Sequence, residues 1–150
     1  MKPILPILGG LILATLSACG QPAPEASAAA SEEAAIRTLL VDAYVEGIHI
    51  DRDSAAVRRG FHPDFVMAVY DEGELIVVPL QMWLDHLQLD GRRTSHTIDY
   101  AFSSIDVTGS AATAKMEIYE DGTHIYTDYF GLYEFPDGWK IVNKLFYDHD

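Results

Sequence analysis

The stretch AATAKMEIYEDGTHIYTDYFGLYEF, residues 111–135, decides the fold class. Polar residues interrupt its apolar residues at close intervals through 111–120 and again through 123–135, which is typical of strands with one buried face. Asp121-Gly122 separates the two runs, and Asp-Gly between apolar runs is a strong signal for a β-hairpin. The stretch therefore predicts two long antiparallel strands.

The rest of the chain adds strands and helices around this hairpin. Four further strand-like runs, bounded by turn residues, cover 65–70, 74–78, 95–107 and 139–147. Helical spacing predicts three helices: a long one capped by Ser31, a short one over 54–59, and one beginning at Pro79. Helices followed by a hairpin-linked sheet indicate an α+β domain over residues 31–150.

The long first helix is predicted to have one buried and one exposed face. The buried face comprises Ile36, Leu39, Leu40, Ala43, Tyr44, Gly47 and Ile48. The exposed face comprises Thr38, Asp42, Glu46, His49 and Asp53.

The amino terminus is predicted to be a lipoprotein signal peptide, residues 1–18. Lys2 precedes the apolar run 4–16, which is shorter than the ~20 residues of a membrane-spanning helix and suits a signal sequence. The run ends in Leu16-Ser17-Ala18-Cys19, which resembles a bacterial lipobox. The resemblance implies cleavage before Cys19 and lipidation of its sulfur and amino group; the alternative is an ordinary secretory signal with a chance cysteine.

Residues 19–30 are predicted to be the lipidated cysteine and a flexible, Ala/Ser/Pro-rich linker. Several acyl chains on one residue suffice for stable anchoring. We therefore expect a lipid-anchored protein of the bacterial cell envelope, on the outer membrane facing the periplasm in a Gram-negative organism. Gly20 in place of Asp after the cysteine resembles lipoproteins sent to the outer membrane.

Composition and motifs exclude several function classes. The formal net charge is −13 and becomes −14 once Lys2 is removed, which argues against nucleic-acid binding. The single cysteine excludes a disulfide framework within the chain and a Cys-rich zinc site. The sequence contains no nucleophile elbow, H-E-x-x-H, phosphate loop or dinucleotide fingerprint. We predict no cofactor and no metal; the acidic, His-containing tail 147–150 is interpreted as a solvated terminus.

Three stretches together resemble the nuclear transport factor 2-like superfamily: Tyr44-Val45-Glu46-Gly47, residues 61–65 (FHPDF), and residues 126–129 (YTDY) with 138–144 (GWKIVNK). The resemblance covers about residues 34–148 and is strongest for the bacterial group described as lumazine-binding, near the SnoaL-like proteins. It implies a cone, in which a curved, mostly antiparallel sheet wraps around N-terminal helices and the wide end holds a ligand pocket. Many members dimerise through the sheet, so a homodimer is also expected.

Three predicted strands each place one hydrogen-bonding residue on an apolar face: His96 beside Ile98, Asp128 beside Tyr126, and Asn143 beside Ile141 and Leu145. An unpaired buried polar group costs roughly 1–3 kcal/mol, so each needs a partner in the fold or in a ligand. The candidate ligand-binding residues are Tyr44, His62, Trp83, His96, Tyr126, Asp128 and Asn143. Each has a structural alternative, since such side chains also bond backbone groups or complete a core.

Three functions remain open at this point. The leading hypothesis is a pocket that binds a small, largely apolar molecule without turning it over. The second is a cofactor-free isomerase, dehydratase or cyclase, with Asp128 or His96 as the base and Tyr44 as a donor to a carbonyl oxygen. The catalytic patterns of ketosteroid isomerase and scytalone dehydratase do not match residue by residue. The third is a dimerisation or docking module that uses the outer sheet face.

Overall fold

The computed structural model describes residues 24–149. The predicted signal peptide and Cys19 lie outside the described residues, as does Asp150. The helices are α1 (Pro24–Leu40), a π-helix (Val41–Ile50) that continues it, α2 (Ser54–Gly60) and α3 (Leu80–Leu87). The strands are β1 (Phe61–Asp71), β2 (Glu74–Pro79), β3 (Ile98–Thr108), β4 (Ala111–Glu120), β5 (Thr123–Phe135) and β6 (Gly138–Asp148). The predicted α+β class is confirmed.

Helix α1 begins earlier than the sequence predicted. It starts at Pro24, so residues 24–30 are helical and Ser31 is not its N-cap. The stretch is rich in alanine, which has the highest helix propensity, and proline is favoured in the first helical turn. The structure therefore shows helix over residues 24–30, which the Ala/Ser composition had placed in the predicted linker.

The π-helix changes which side chains face the sheet. In a π-helix each N–H bonds to the carbonyl five residues earlier, and Asp51 N–H donates to Glu46 O in this way at 2.6 Å. Residues five apart therefore share a face, and the rings of Tyr44 and His49 lie 4.9 Å apart between centroids. The prediction that His49 lies on the exposed face was wrong because it assumed α-helical spacing.

The six strands form one sheet in the order β2-β1-β6-β5-β4-β3. β1 and β6 pair in parallel, and every other neighbouring pair is antiparallel. The predicted hairpins between β1 and β2 and between β4 and β5 are confirmed. The helices cover one face of this curved sheet, as the resemblance implied, so the other face of β3–β6 is left on the outside.

A β-bulge in β6 reverses the alternation of its side chains. Leu132 pairs with Ile141 but Gly131 pairs with Asn143, so Val142 is an extra residue. Ile141 faces the helices before the bulge and Lys144 faces them after it, with exposed fractions of 0% and 4%. Asn143 and Leu145 consequently lie on the outer face of the sheet. The prediction that Asn143 shares a buried face with Ile141 was wrong, because one inserted residue exchanges the two faces.

The core lies between the helices and the inner face of the sheet. The rings of Phe61 and Phe65 contact edge to face at 4.9 Å, and Trp83 of α3 stacks on Phe65 at 5.7 Å. Trp139 Nε1 donates to the Glu32 carboxylate at 2.6 Å, which ties α1 to β6. Among the described residues, no helix is both long enough and apolar enough to span a membrane.

Candidate functional site

A cavity of about 520 Å³ opens between the π-helix, α3 and the inner face of the sheet. This volume falls within the range of roughly 300–1,000 Å³ typical of small-molecule sites. Its apolar walls are Ile48, Met67, Trp83, Leu87, Ile125 and Phe146. The residues that bring polar atoms to it are Tyr44, His49, Arg52, Thr94, His96, Glu120, Tyr126 and Lys144.

Beneath the cavity, Asp128 joins two of its lining residues. The Tyr44 hydroxyl donates to Asp128 Oδ2 at 2.7 Å, and Lys144 Nζ lies 2.8 Å from Asp128 Oδ1. The exposed fractions of Asp128, Tyr44 and Lys144 are 0%, 1% and 4%. A buried carboxylate of this kind is stable only when paired, and here each oxygen has a partner.

The surroundings of Lys144 are aromatic. Its Nζ lies 4.3 Å from the ring centroid of Phe146, 5.3 Å from that of Tyr44, 5.5 Å from that of Trp83 and 5.8 Å from that of Tyr126. Burial lowers the pKa of the Lys144 ammonium below its ordinary value, and Asp128 partly offsets this. Burial and the neighbouring Asp128 raise the pKa of the Tyr44 hydroxyl well above its usual range, so it remains a hydrogen-bond donor.

His49 brings a buried nitrogen without a protein partner to the same cavity. Its Nε2 has no hydrogen-bond partner among residues 24–149. Burial, reinforced by the charge of Lys144, lowers the pKa of His49 to about 4. The imidazole is therefore neutral at physiological pH and can give or accept one hydrogen bond to a ligand.

The mouth of the cavity is charged and held by the connection between α3 and β3. The Arg52 guanidinium donates to Leu87 O at 3.2 Å and to Asp90 Oδ1 at 3.2 Å. His96 Nδ1 lies 2.8 Å from Asp121 Oδ2, and this contact raises the pKa of His96. His96 precedes β3 and is exposed, so the prediction that it lies within a strand and faces inward was wrong.

The structure brings together five of the seven predicted ligand-binding residues. Tyr44, Trp83, Tyr126 and, at the rim, His96 line the cavity, and Asp128 lies behind Tyr44. His62 and Asn143 lie elsewhere.

His62 has a local structural role. Its Nδ1 accepts the Asp64 N–H at 3.1 Å, and its ring stacks on Phe135 at 4.7 Å. Asn143 lies on the outer face and packs against Gly131. A Cβ added to Gly131 would lie 2.7 Å from the Nδ2 atom of Asn143. Neither residue can contact a ligand in the cavity.

Sequence reasoning missed His49 and Lys144. Lys144 follows a β-bulge that the sequence of β6 does not indicate. The apolar residues Trp139, Ile141, Leu145 and Tyr147 keep a regular period of two on both sides of the bulge. The inward position of His49 depends on the π-helical spacing from Tyr44, and the sequence analysis did not predict a π-helix. The described residues contain no group of three or more His, Cys, Asp or Glu side chains that could hold a metal ion.

Solved structures share this architecture. An NTF2-like protein of unknown function from Shewanella baltica OS155 is 25% identical with a TM-score of 0.68, over 81% of this chain and 96% of that chain. One from Silicibacter pomeroyi DSS-3 is 23% identical with a TM-score of 0.67, over 80% and 98%. One from Methylobacillus flagellatus KT is 23% identical with a TM-score of 0.64, over 80% and 94%. No curated protein matches the sequence.

The family match agrees with the fold and covers the domain that contains the cavity. The profile of the family described as "Putative lumazine-binding" matches residues 31–147, which include every element from the middle of α1 to β6. The chain belongs to this family of the NTF2-like superfamily.

Proposed function

We propose that the domain binds a small planar molecule in the cavity without transforming it. The observation that carries this proposal is that Lys144 and His49, whose buried Nε2 has no hydrogen-bond partner among the described residues, line the same cavity as six apolar side chains. Buried polar groups are normally satisfied, so an orphan nitrogen beside a cavity indicates that a ligand or water completes it.

The cavity selects its ligand by three kinds of contact. The rings of Trp83, Tyr126 and Phe146 offer faces and edges to a flat ring system. The Lys144 ammonium donates to a carbonyl or anionic oxygen, and neutral His49 pairs with a ring N–H or a second carbonyl. Lumazine, a pteridinedione named in the family's description, carries both kinds of group on a flat ring system.

Calorimetric titration of the full chain with lumazine tests the proposal. Replacement of Lys144 by Met removes a charge-assisted hydrogen bond worth about 1.5–3 kcal/mol, so the affinity should fall about 10- to 150-fold. Lys140→Met is the matched control, because Lys140 bonds to Arg59 O and Asp137 away from the cavity. Lys144→Met leaves the Asp128 carboxylate without its cation and can therefore weaken the fold. His49→Phe provides a second variant that leaves this ion pair in place. Near-UV circular dichroism shows whether each variant is folded. Lumazine binding that is absent, or equal in all variants, would overturn the proposal.

The alternative of proton-transfer catalysis by Asp128 has less support. Both of its oxygens are engaged, one by Tyr44 and the other by Lys144, and Asp128 is not among the residues that line the cavity. His96, the other candidate base, is exposed and paired with Asp121. A ligand in the cavity therefore contacts Lys144 and Tyr44, and the carboxylate of Asp128 behind them is not free to act as a base.

We also propose, from the sequence alone, that Cys19 is lipidated and anchors the domain in the cell envelope. Mass spectrometry of the protein recovered from its own membranes should find the mature chain beginning at an acylated Cys19. An unmodified Cys19 in that chain would contradict the anchor.

A homodimer through the outer sheet face is a separate proposal. This face exposes Tyr129, Tyr133, Leu145 and Tyr147, whose exposed fractions are 41%, 51%, 51% and 64%. Apolar surface of this kind is commonly covered by a partner. Sedimentation should detect a dimer, and a monomer at every concentration would contradict it.

A further inference from the structure

Lys144 combines two properties that a lysine rarely has together. Its side chain lines the cavity, yet only 4% of the side chain is exposed. Four aromatic rings surround the nitrogen, and among the described residues Asp128 is the only anion in contact with it. Burial lowers the pKa of this amine, so its neutral, nucleophilic form is more accessible than that of an exposed lysine.

We propose that Lys144 forms a reversible imine with a small aldehyde or ketone that enters the cavity. The inference rests on the proposed function only in requiring that the same cavity admit a small molecule. It extends that function from non-covalent binding to covalent capture of carbonyl compounds.

The residues in contact with Lys144 supply the proton transfers that the reaction needs. Asp128 Oδ1, 2.8 Å away, takes one proton from the ammonium and leaves a neutral amine. The nitrogen lone pair forms a bond to the carbonyl carbon, the C=O π pair moves to oxygen, and a proton passes from nitrogen to that oxygen to give a neutral carbinolamine. Asp128 then returns its proton to the Lys144 nitrogen that it contacts, a proton passes from this nitrogen to the hydroxyl, the C–O bond breaks, and water leaves.

The product is an iminium cation on Lys144 next to the Asp128 carboxylate. Ammonium and carbonyl have become iminium and water, so the charge of the site is unchanged and the buried ion pair is preserved. Tyr44 holds the second carboxylate oxygen at 2.7 Å throughout and fixes Asp128 in place. No oxidant, reductant or cofactor takes part.

The other described lysines are internal controls within the same chain. Lys140 Nζ bonds to Arg59 O at 3.0 Å and to Asp137 at 3.1 Å. Lys115 lies over the Tyr129 ring on the outer sheet face. Neither lines the cavity, so a carbonyl compound that the cavity does not concentrate should not modify Lys144 in preference to Lys115 and Lys140.

The test is reductive trapping of the full chain with benzaldehyde and cyanoborohydride, followed by peptide mass spectrometry. We expect Lys144 to be alkylated faster than Lys115 or Lys140, since it lines the cavity that concentrates the aldehyde and since burial lowers its pKa and so raises the fraction of neutral amine. Saturating lumazine should protect Lys144 alone. Lys144→Arg keeps a cation for Asp128 and should abolish the fast phase.

Two results separate this inference from the proposed function. If lumazine binds but Lys144 is alkylated no faster than Lys115, the imine proposal is overturned and the binding proposal stands. If Lys144 is alkylated fast while lumazine does not bind, the covalent site is supported and the non-covalent ligand was misidentified. The comparison between lysines uses the unmodified protein, so it does not depend on the folding of any variant.

Discussion

Replacement of Asp128 by Asn tests whether the buried Tyr44–Asp128–Lys144 network holds the inner sheet face together. The change keeps the shape of the side chain but removes its charge, and it leaves the Lys144 ammonium without its carboxylate at an exposed fraction of 4%. Breaking a buried ion pair in this way costs about 3–5 kcal/mol. A domain of this size is stable by only about 5–15 kcal/mol, so the variant should lose a fifth or more of its free energy of unfolding.

The loss of stability in Asp128→Asn should become smaller as the pH rises. Asp128 raises the pKa of Lys144 against the effect of burial, so the pKa of Lys144 falls further in Asp128→Asn. Between that lowered folded-state pKa and the ordinary value of 10.5, the unfolded chain binds a proton that the folded variant does not. Stability therefore rises with pH across this window. The deficit of the variant should be smaller at about pH 9.5 than at about pH 7.

Urea unfolding of the wild type, Asp128→Asn and the double variant Asp128→Asn/Lys144→Met measures these effects. The double variant should be more stable than Asp128→Asn alone, because it no longer buries an unpaired cation. Asp106→Asn, on the exposed part of β3, is the matched control and should change stability by less than about 0.5 kcal/mol. A deficit independent of pH, or a double variant less stable than the single one, would show that the Lys144 ammonium is not destabilised by the loss of Asp128.

Two further perturbations test the helical side of the cavity. His49 has a pKa of about 4 in the folded protein and an ordinary value of 6.5. The stability that goes with burying the neutral imidazole is therefore fully present above pH 6.5 and is lost as the pH falls towards 4. Between about pH 7 and 4.5 the wild type should lose about 2 kcal/mol more than His49→Phe in urea unfolding, and equal losses would contradict the burial of His49. In Gly60→Ala the new methyl group meets the Ala43 side chain of the π-helix, so the melting temperature should fall by an amount that corresponds to about 1–3 kcal/mol. Ala43→Gly in the same chain should recover part of that loss, and no recovery would place the strain elsewhere.

The sequence was sufficient to predict the β4–β5 hairpin because its signals are local. The β4 and β5 ranges match the predicted strands 111–120 and 123–135, since alternation and Asp121-Gly122 specify them within a short stretch. The inward direction of Asp128 and Tyr44 also followed from period alone. Their contact at 2.7 Å joins residues distant in the chain, so only the packing of the π-helix on β5 reveals it.

The rest of the site depends on two departures from regular geometry. The bulge at Val142 turns Lys144 inward and Asn143 outward, although the alternation of apolar residues in β6 continues across it. The π-helix brings His49 beside Tyr44, although α-helical spacing placed it on the opposite face. Both irregularities place a polar group at the cavity, as bulges and π-helices at functional sites commonly do.

Whether the cavity is the ligand site can be measured from the indole N–H signals in the NMR spectrum of the chain's two tryptophans during titration with lumazine. Trp83 lines the cavity and Trp139 does not, yet their exposed fractions are 8% and 7%, so each is a control for the other. We expect the Trp83 signal to shift with saturation while the Trp139 signal stays in place. A shift of Trp139 alone, or no shift of Trp83 at saturating lumazine, would contradict it.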